Sequence, residues 1–501
     1  MRNIPDIKVA IVVGSTDWLP SDLAIEVRQR LAEAYKDTYV EDDIYECSIC
    51  ITDNEVNIKR VLREINKAGC NALCLFFANY GPESAGTLLA QEFEGPVMML
   101  AAAEEGEGPY ARNRKDALSG VINACYSLKL RQTNAYIPSH PIGTKDQCIE
   151  MVHDFISIAR ILVGVKNLKL ISIGPRPSSY LASSAPHYLL YDIGVEVSEY
   201  SELELLDSFN KHAGDKRIAK TVANMEQELD QNNFPEMLSK FAQYELTMED
   251  WIRNHKGNRN YVALTSTCWP ASPVNFGFTP CYVNSRFTGR GYPVACEVDV
   301  YGAVSEFIGQ CVSGDVVTIL NINNNIPQEL YDGKIKGQEF NGRRYKITDL
   351  FLGYHCGVTA SCKLISNKSE YHFVNHQLIG TEQSKGTIQG SIVPGTVTLF
   401  RIQGMRDNKL RAYVAQGQAL PITMDTYGGQ GIFAVPEMER FIRNVILEKQ
   451  FPNHCVVIFG LYAEKLIGAL KSLGIEEIDY NHPKEVPYAS ENVFSSISDW
   501  Y

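Results

Sequence analysis

YVALTSTCWPASPVNFGFTPCYVNSRFTGRGYPVACEVDVYGAV, residues Tyr261–Val304, decides how the rest of this chain is read. Two apolar, β-branched runs are interrupted at Cys268-Trp269-Pro270, at Gly289 and Gly291, and at Ala295-Cys296-Glu297. Glu297 stands among Val, Ala and Cys, the composition of an interior. A carboxylate there needs a cation, a set of hydrogen bonds or a metal. Asp299 points the same way as Glu297 if the strand continues, and the opposite way if a helix starts at Val298. Two readings stand side by side. One is an acid at a strand-to-helix turn, placed to bind a ligand or move a proton; the other is a carboxylate capping the first turn of the helix that begins near Asp299.

Upstream, the pattern is of alternating strands and helices. Lys8–Gly14 reads as a buried strand and Leu23–Ala34 carries the 3.6-residue apolar period of a helix. Helix near Ile58–Ala68, strands Ala72–Phe77 and Pro96–Ala101, and helix Asp116 to about Gln132 continue the series. This order predicts a parallel sheet covered by helices. A linker at Ser139–Gly143 and a helix at Gln147–Val163 lead to strand Leu168–Ile173, which opens a second α/β unit. Beyond His355 short alternating strands (Gly386–Gly390, Thr396–Ile402, Leu410–Gln416) lie between glycine-rich turns, before helices at Met438–Lys449 and Ala463–Leu473. The predicted fold is two successive α/β, Rossmann-like parallel-sheet domains (1–165 and 166–353) and a β-rich, barrel-like C-terminal domain (354–501).

At 501 residues the chain is long enough for about two to four domains, each with its own core. With 45% hydrophobic and 21% charged residues it reads as globular rather than disordered. A net charge of −12 argues against a nucleic-acid partner. No apolar run of membrane-spanning length occurs, and Met1–Pro5 lacks the start of a signal peptide, so a cytoplasmic protein with no membrane partner is expected. The Cys47-Ser48-Ile49-Cys50 spacing lacks a partner pair, and Cys74, Cys268 and Cys296 lie in apolar strands as small hydrophobes.

Cys268-Trp269, then Gly277-x-x-Pro280-Cys281, then Arg286-x-x-x-x-Gly291-x-Pro293-Val294-Ala295-Cys296-Glu297-x-Asp299-x-Tyr301-Gly302-Ala303, resembles the core of the L-fucose/L-arabinose isomerase superfamily, its fucose-isomerase-like branch above all. The likeness is strong over about Tyr261–Gly357 and weaker over Gly386 to about Gly474. It implies the same architecture, and it implies that Glu297 is a ligand of the catalytic divalent metal, usually Mn²⁺, with Mg²⁺ or Co²⁺ as alternatives. The strand Asp315–Leu320 ends in Asn321-Ile322-Asn323-Asn324-Asn325. Polar residues at the C-terminal end of an apolar strand are where open α/β sheets place ligands, though Asn323–Asn325 equally suit a turn. The family ends this strand in D-W-N-N, whose Asp is the second metal ligand and a candidate base; here that position is Asn321. Tyr354-His355-Cys356-Gly357 resembles the family's F-H-C-G segment, and Pro452-Asn453-His454-Cys455 its histidine before a strand. The resemblance therefore implies metal ligands Glu297, Asn321, His454 and His355 and catalytic residues Glu297 and Asn321; Trp269, Asn323, His355 and Arg286 are the expected substrate contacts. Trp269 also reads as a core residue. His372 and His376 have a ligand-like spacing but fall in a loop or strand, and are left outside the site. Arg176, Arg286 and Arg401 are each candidate anion contacts.

The implied activity is aldose–ketose isomerisation of a pentose, a deoxyhexose or a C6-modified hexose such as a sulfo-sugar, through an enediol. An amide at position 321 can offer an oxygen but cannot take a proton. Either Glu297 serves as ligand and base, or another acid such as Asp299 takes over, or the chain is a sugar-binding relative without turnover; an epimerase on the same scaffold is a further alternative. The family's sites are completed by a neighbouring subunit, so a homotrimer or homohexamer is expected, with Asn79–Ser84 or the Glu104–Arg112 loop reaching across.

Overall fold

The computed structural model describes residues 3–19, 21–39, 42–105, 115–380, 382–424 and 426–491. The chain divides into two compact units, Pro5–Gly164 with Glu464–Gly474, and the remainder.

In the first unit β1 (Val9–Val13), β2 (Ile44–Glu46), β3 (Ala72–Phe77), β4 (Val97–Ala102) and β5 (Ile142–Gly143) form a parallel sheet in the order β2-β1-β3-β4-β5. VAIVV, ALCLFF and VMMLAA are buried along their whole length. Unbroken apolar strands are what a sheet covered on both faces requires. Helices Ser21–Thr38, Ile58–Lys67, Ala117–Leu130 and Lys145–Lys166 fall where the periodicity places them.

The second unit holds two sheets. β6 (Leu168–Ile173), β7 (Glu196–Tyr200), β8 (Tyr261–Ser266) and β9 (Val294–Cys296) are parallel, in the order β7-β6-β8-β9. The larger sheet contains β10 (Thr318–Asn324), β11 (Leu350–His355), β12 (Lys368–Tyr371), β13 (Lys385–Ser391), β14 (Gly395–Gly404), β15 (Leu410–Ala419), β16 (Gly429–Ala434), β17 (His454–Phe459) and β18 (Glu477–Tyr480). Its order is β12-β13-β16-β11-β10-β17-β14-β15-β18, and an extra β15–β16 pairing closes six of these strands into a ring. Closure removes edges that would otherwise expose unpaired backbone. Leu320, Phe351, Leu399, Tyr413, Phe433, Cys455 and Val457 belong to one apolar cluster with the helices around β8, full burial of each Leu, Phe or Val adding about 1.5–3 kcal/mol.

One strand differs from its sequence reading. β10 does not extend a parallel α/β sheet: it runs antiparallel between β11 and β17. An apolar run of this length has no periodicity that separates the two environments; its partners, more than 25 residues away in sequence, decide. The ligand-site argument from open parallel sheets therefore does not apply to Asn321. No helix among the described residues is long and apolar enough to cross a membrane.

Candidate active site

The sequence stretch that opened the argument folds as β8, two short helices, β9 and the long helix Val300–Ser313. Between β9 and that helix the backbone turns through two left-handed residues, Glu297 (φ 56°) and Val298 (φ 58°). A β-branched residue in this region is an outlier, costing on the order of 1–3 kcal/mol, and persists only where the surroundings impose it. Here the amide of Asp299 donates to the Cys296 carbonyl (3.0 Å), and the Asp299 carboxylate Oδ1 accepts from Gly302 N–H (2.9 Å). Asp299, not Glu297, is thus the helix cap. Gly302 is the residue this needs, since a Cβ there would lie 2.5 Å from Asp299 Oδ2. Freed from capping, Glu297 presents a side chain that is 30% exposed.

Behind it lies a buried relay. Arg401 Nη1 and Nη2 donate to the two oxygens of Asp299 at 2.8 and 2.9 Å, and Nη1 also reaches the His454 carbonyl (3.2 Å). Gln403 Oε1 accepts from Arg401 Nε and Nη2. His454 Nδ1 lies 2.8 Å from Asp299 Oδ2, and its Nε2 lies 3.4 Å from Glu297 Oε2. Burial alone would push the Asp299 carboxyl up, but Arg401 and His454 hold it well below the usual range. Burial would likewise deprotonate His454; the hydrogen bonds to Asp299 and Glu297 prevail and push its pKa up to about 9. A carboxylate on one ring nitrogen fixes the ring's orientation and leaves the other nitrogen to face a ligand.

β10 and β11 bring up the remaining candidates. Asn321 is in register with both His454 and Tyr354, and its Oδ1 is buried without a hydrogen-bond partner. The His355 ring centre is 5.5 Å from that of His454. Its Nε2 is also buried and unpartnered, while Nδ1 accepts from Gly357 N–H at 3.4 Å. Burial first, then His454 and His372, keep His355 neutral, well below the usual histidine range. Gly357 admits Cys281, whose Cβ would be 2.3 Å from any side chain there. Asn323 is the extra residue of a bulge between Ile322 and Asn324 and is exposed, outside this buried group. Trp269 is partly exposed rather than a core residue. Arg286 is taken up elsewhere: Nε and Nη2 face Glu245 at 2.7 and 3.4 Å, and Nη1 pairs with Glu228. A buried guanidinium must be neutralised, and these carboxylates leave it no free nitrogen for a substrate. Among the described residues no group of three or more His, Cys, Asp or Glu side chains converges as a ready-made metal cage.

Tyr180 was not singled out from sequence. Its hydroxyl donates to Asn453 Oδ1 (2.9 Å) and lies 3.3 Å from His454 Nε2. Arg176 shapes the loop that carries it, by donating to the carbonyls of Pro177, Ser178 and Tyr180. Burial, followed by the charges of Glu297 and Asp299, raises the Tyr180 pKa. Cys268 Sγ is 2.9 Å from Cys296 Sγ, next to Glu297. A tyrosine in a loop 274 residues from its histidine carries no local signal of this role.

Residues 10–166 match the family model described as fucose/sulfoquinovose isomerase, N-terminal domain, and residues 353–481 that of L-fucose isomerase, C-terminal domain. Glu297 and Asn321 lie between the two matches. The chain is 24% identical over 391 residues to sulfoquinovose isomerase of Priestia aryabhattai, covering 77% of this chain and 80% of that one. It is 23% identical over 399 residues to sulfoquinovose isomerase of Alkalicoccus urumqiensis, at 77% and 81% coverage. The protein is a sugar isomerase, an intramolecular oxidoreductase of the aldose–ketose type. It belongs to the fucose-isomerase-like family.

Proposed function

We propose that the enzyme interconverts an open-chain aldose and its ketose, with a pentose, a deoxyhexose or a C6-modified hexose such as a sulfo-sugar as substrate, through an enediol and with a divalent cation. The observation that carries this is the carboxylate–imidazole pair of Glu297 and His454, 3.4 Å apart, with the far side of His454 fixed by Asp299. The donor set fits a hard cation: Glu297 Oε2, His454 Nε2 and the orphaned amide oxygen of Asn321 would hold it, and solvent or sugar oxygens would complete the shell. His355 suits a different task. Its Nδ1 accepts a backbone N–H, so its proton sits on Nε2, which makes it a donor to a sugar oxygen rather than a ligand. Bound Mn²⁺, or Mg²⁺ or Co²⁺, would supply polarisation of the substrate carbonyl.

Glu297 then acts as the base that moves a proton between C1 and C2. Asp299 is poorly suited to that work, because Arg401, His454 and the helix cap already occupy its oxygens and suppress its basicity. Tyr180, beside Glu297 and His454, can donate to or accept from a sugar hydroxyl. The names of the relatives favour the sulfo-sugar among the candidates.

Association into a homotrimer or homohexamer forms part of this proposal. Along helix Ala117–Leu130, Leu118, Ile122, Tyr126 and Leu130 form an i, i+4 apolar stripe, 40%, 60%, 67% and 67% exposed. Such a stripe is costly in water and suits a subunit contact. Of the two segments expected to reach a neighbouring site, residues 106–112 of the Glu104–Arg112 loop lie outside the described residues; in the other, Asn79 Nδ2 donates to Ser15 Oγ. A cytoplasmic location accords with thirteen free cysteines.

A second reading, a sugar-binding relative without turnover, is favoured by Asn321, which removes one anionic ligand. Incubation of the purified chain with Mn²⁺ and a panel of aldoses, a 6-sulfo-aldose included, with ketose as readout, separates the two. Ketose formed and lost on chelation supports isomerisation by this site. Binding of a sugar without ketose would establish the second reading, and an aldose product would point to epimerisation.

A further inference from the structure

Two buried histidines of this part of the chain, His454 and His372, have opposite hydrogen-bonding polarity. His454 donates from Nδ1, so a neutral ring leaves Nε2 bare. His372 is turned the other way. It immediately precedes the short helix Phe373–Ile379, and its Nδ1 accepts from Asn375 N–H at 3.2 Å. A backbone N–H can only donate, so Nδ1 carries no proton and the single proton of a neutral ring sits on Nε2. Burial favours that neutral ring: the residue is 5% exposed. The ring is firmly placed, since the His372 amide donates to Ser384 O (2.8 Å) and Asn375 Nδ2 donates to Thr279 Oγ1 (3.2 Å). Yet the donor this arrangement creates, Nε2–H, is buried and has no partner. The next residue, Phe373, stacks on Tyr427 with ring centres 4.4 Å apart, and Tyr427 packs edge-on against Tyr354 at 5.2 Å, the residue before His355. His372 therefore lies beside the segment that carries His355, one of the residues proposed to handle the sugar.

A buried donor without an acceptor is costly, and a ligand oxygen would recover that loss. A cation cannot, because the nitrogen already holds a proton; a hydroxyl or carbonyl oxygen can. We infer that His372 is a substrate-contact residue, whose Nε2–H donates to an oxygen of the open-chain sugar held against Glu297. The sugar as ligand rests on the isomerase reading above. The tautomer rests on the fold.

Two substitutions separate recognition from folding. Asparagine places an acceptor near the Nδ1 position and is a good helix cap, but has nothing at Nε2. Glutamine reaches the Nε2 position with an N–H and loses the cap. With the full chain and Mn²⁺, calorimetry with a panel of pentitols and hexitols, open-chain polyols that cannot be isomerised, measures the contact without turnover. His372→Asn is expected to melt near the parent temperature, to bind the best alditol about tenfold more weakly, and to raise KM by a similar factor with little change in kcat. His372→Gln is expected to melt lower yet bind within about threefold of the parent. If His372→Asn does not fold, His372→Gln against His372→Met makes the same comparison, since methionine fills the space without a donor.

Unchanged alditol binding in His372→Asn overturns the inference, as do equal affinities in the Gln and Met variants, or a parent chain that binds no alditol. No ketose from any aldose, with the alditol difference intact, would sink the isomerase reading and leave His372 in place. Ketose formation together with unchanged alditol binding in His372→Asn does the reverse.

Discussion

Arg286 and Arg401 are both buried arginines facing carboxylates, and the fold uses them in opposite ways. Around Arg286 the charges close on themselves: Glu245 and Glu228 take its nitrogens, and Arg290 adds a second cation to Glu245 at 3.1 Å. Around Arg401 the chain of contacts runs outward, from guanidinium to Asp299, to His454 Nδ1, and through the ring to Nε2 and Glu297. The first network joins cations to carboxylates only and serves stability. The second runs through an imidazole to an open end at Glu297, 30% exposed, and the open end is where chemistry is possible. Buried charge alone does not mark a site; a buried network that passes through a histidine ring to an accessible carboxylate does.

Breaking the open end should have the largest effect. Glu297→Gln keeps the shape of the side chain and removes the proposed base, so ketose formation should fall by at least about 10³-fold, with little change in melting temperature. A rate within tenfold of the parent would move the base elsewhere, Tyr180 being the next group to test.

One step back in the same relay, Asp299→Asn should act on both properties. It frees the His454 ring and weakens Mn²⁺ binding by about 10–100-fold, measured by cation titration of activity. It also leaves Arg401 without its carboxylate, a destabilisation of about 3–5 kcal/mol visible in denaturant unfolding. Loss of stability with cation affinity intact would show that this network, too, is purely structural.

Arg286→Met tests the closed network. Stability should fall by about 3–5 kcal/mol, because Glu228 and Glu245 lose their main cation, while the folded fraction keeps kcat and KM within about twofold. A selective rise in KM would restore Arg286 as a sugar contact.

The smallest effect concerns Glu306, fully buried on the helix that Asp299 caps, with neither carboxyl oxygen paired. Burial first, then the charge of Asp299, raise its pKa well above the ordinary 4.5. For an acid whose pKa is raised by folding, the unfolded chain releases the proton first. Stability is therefore full below about pH 4.5 and declines as pH rises towards the folded value. Glu306→Gln should melt like the parent near pH 4.5 and above it at pH 8; equal melting temperatures at both would show that Glu306 is ionised inside the fold.

In the first unit β1, β3 and β4 were legible because each is a continuous apolar run, and four helices because each has an apolar face; β5, inside the stretch read as a linker, and the helix Glu83–Glu92 were not. The β-rich character beyond His355 was legible from glycine-punctuated alternation, but the membership of β10 was not, since strands buried in parallel and in closed sheets look alike in composition. At the site, Glu297 stood out because a carboxylate interrupts apolar surroundings, whereas Asn321, His355 and His454 were singled out by the resemblance to the family. Arg286, one of three candidate anion contacts, proved to answer two internal carboxylates. The local alternatives for Glu297 and Asp299 were settled by backbone geometry: two left-handed residues give the cap to Asp299 and turn Glu297 away from it.

Residue type and period by themselves determined the kinds of element this chain forms and the chemistry its polar interruptions can support, because both depend on neighbours within a few positions. Tertiary structure alone decided which of those groups meet. Arg401 is 102 residues from Asp299, Tyr180 is 274 from His454, and the proton on His372 is assigned by one backbone N–H at the start of a short helix. Hydrogen bonds and ion pairs act over a few ångströms in space, so a sequence can hold both partners and still not say that they touch.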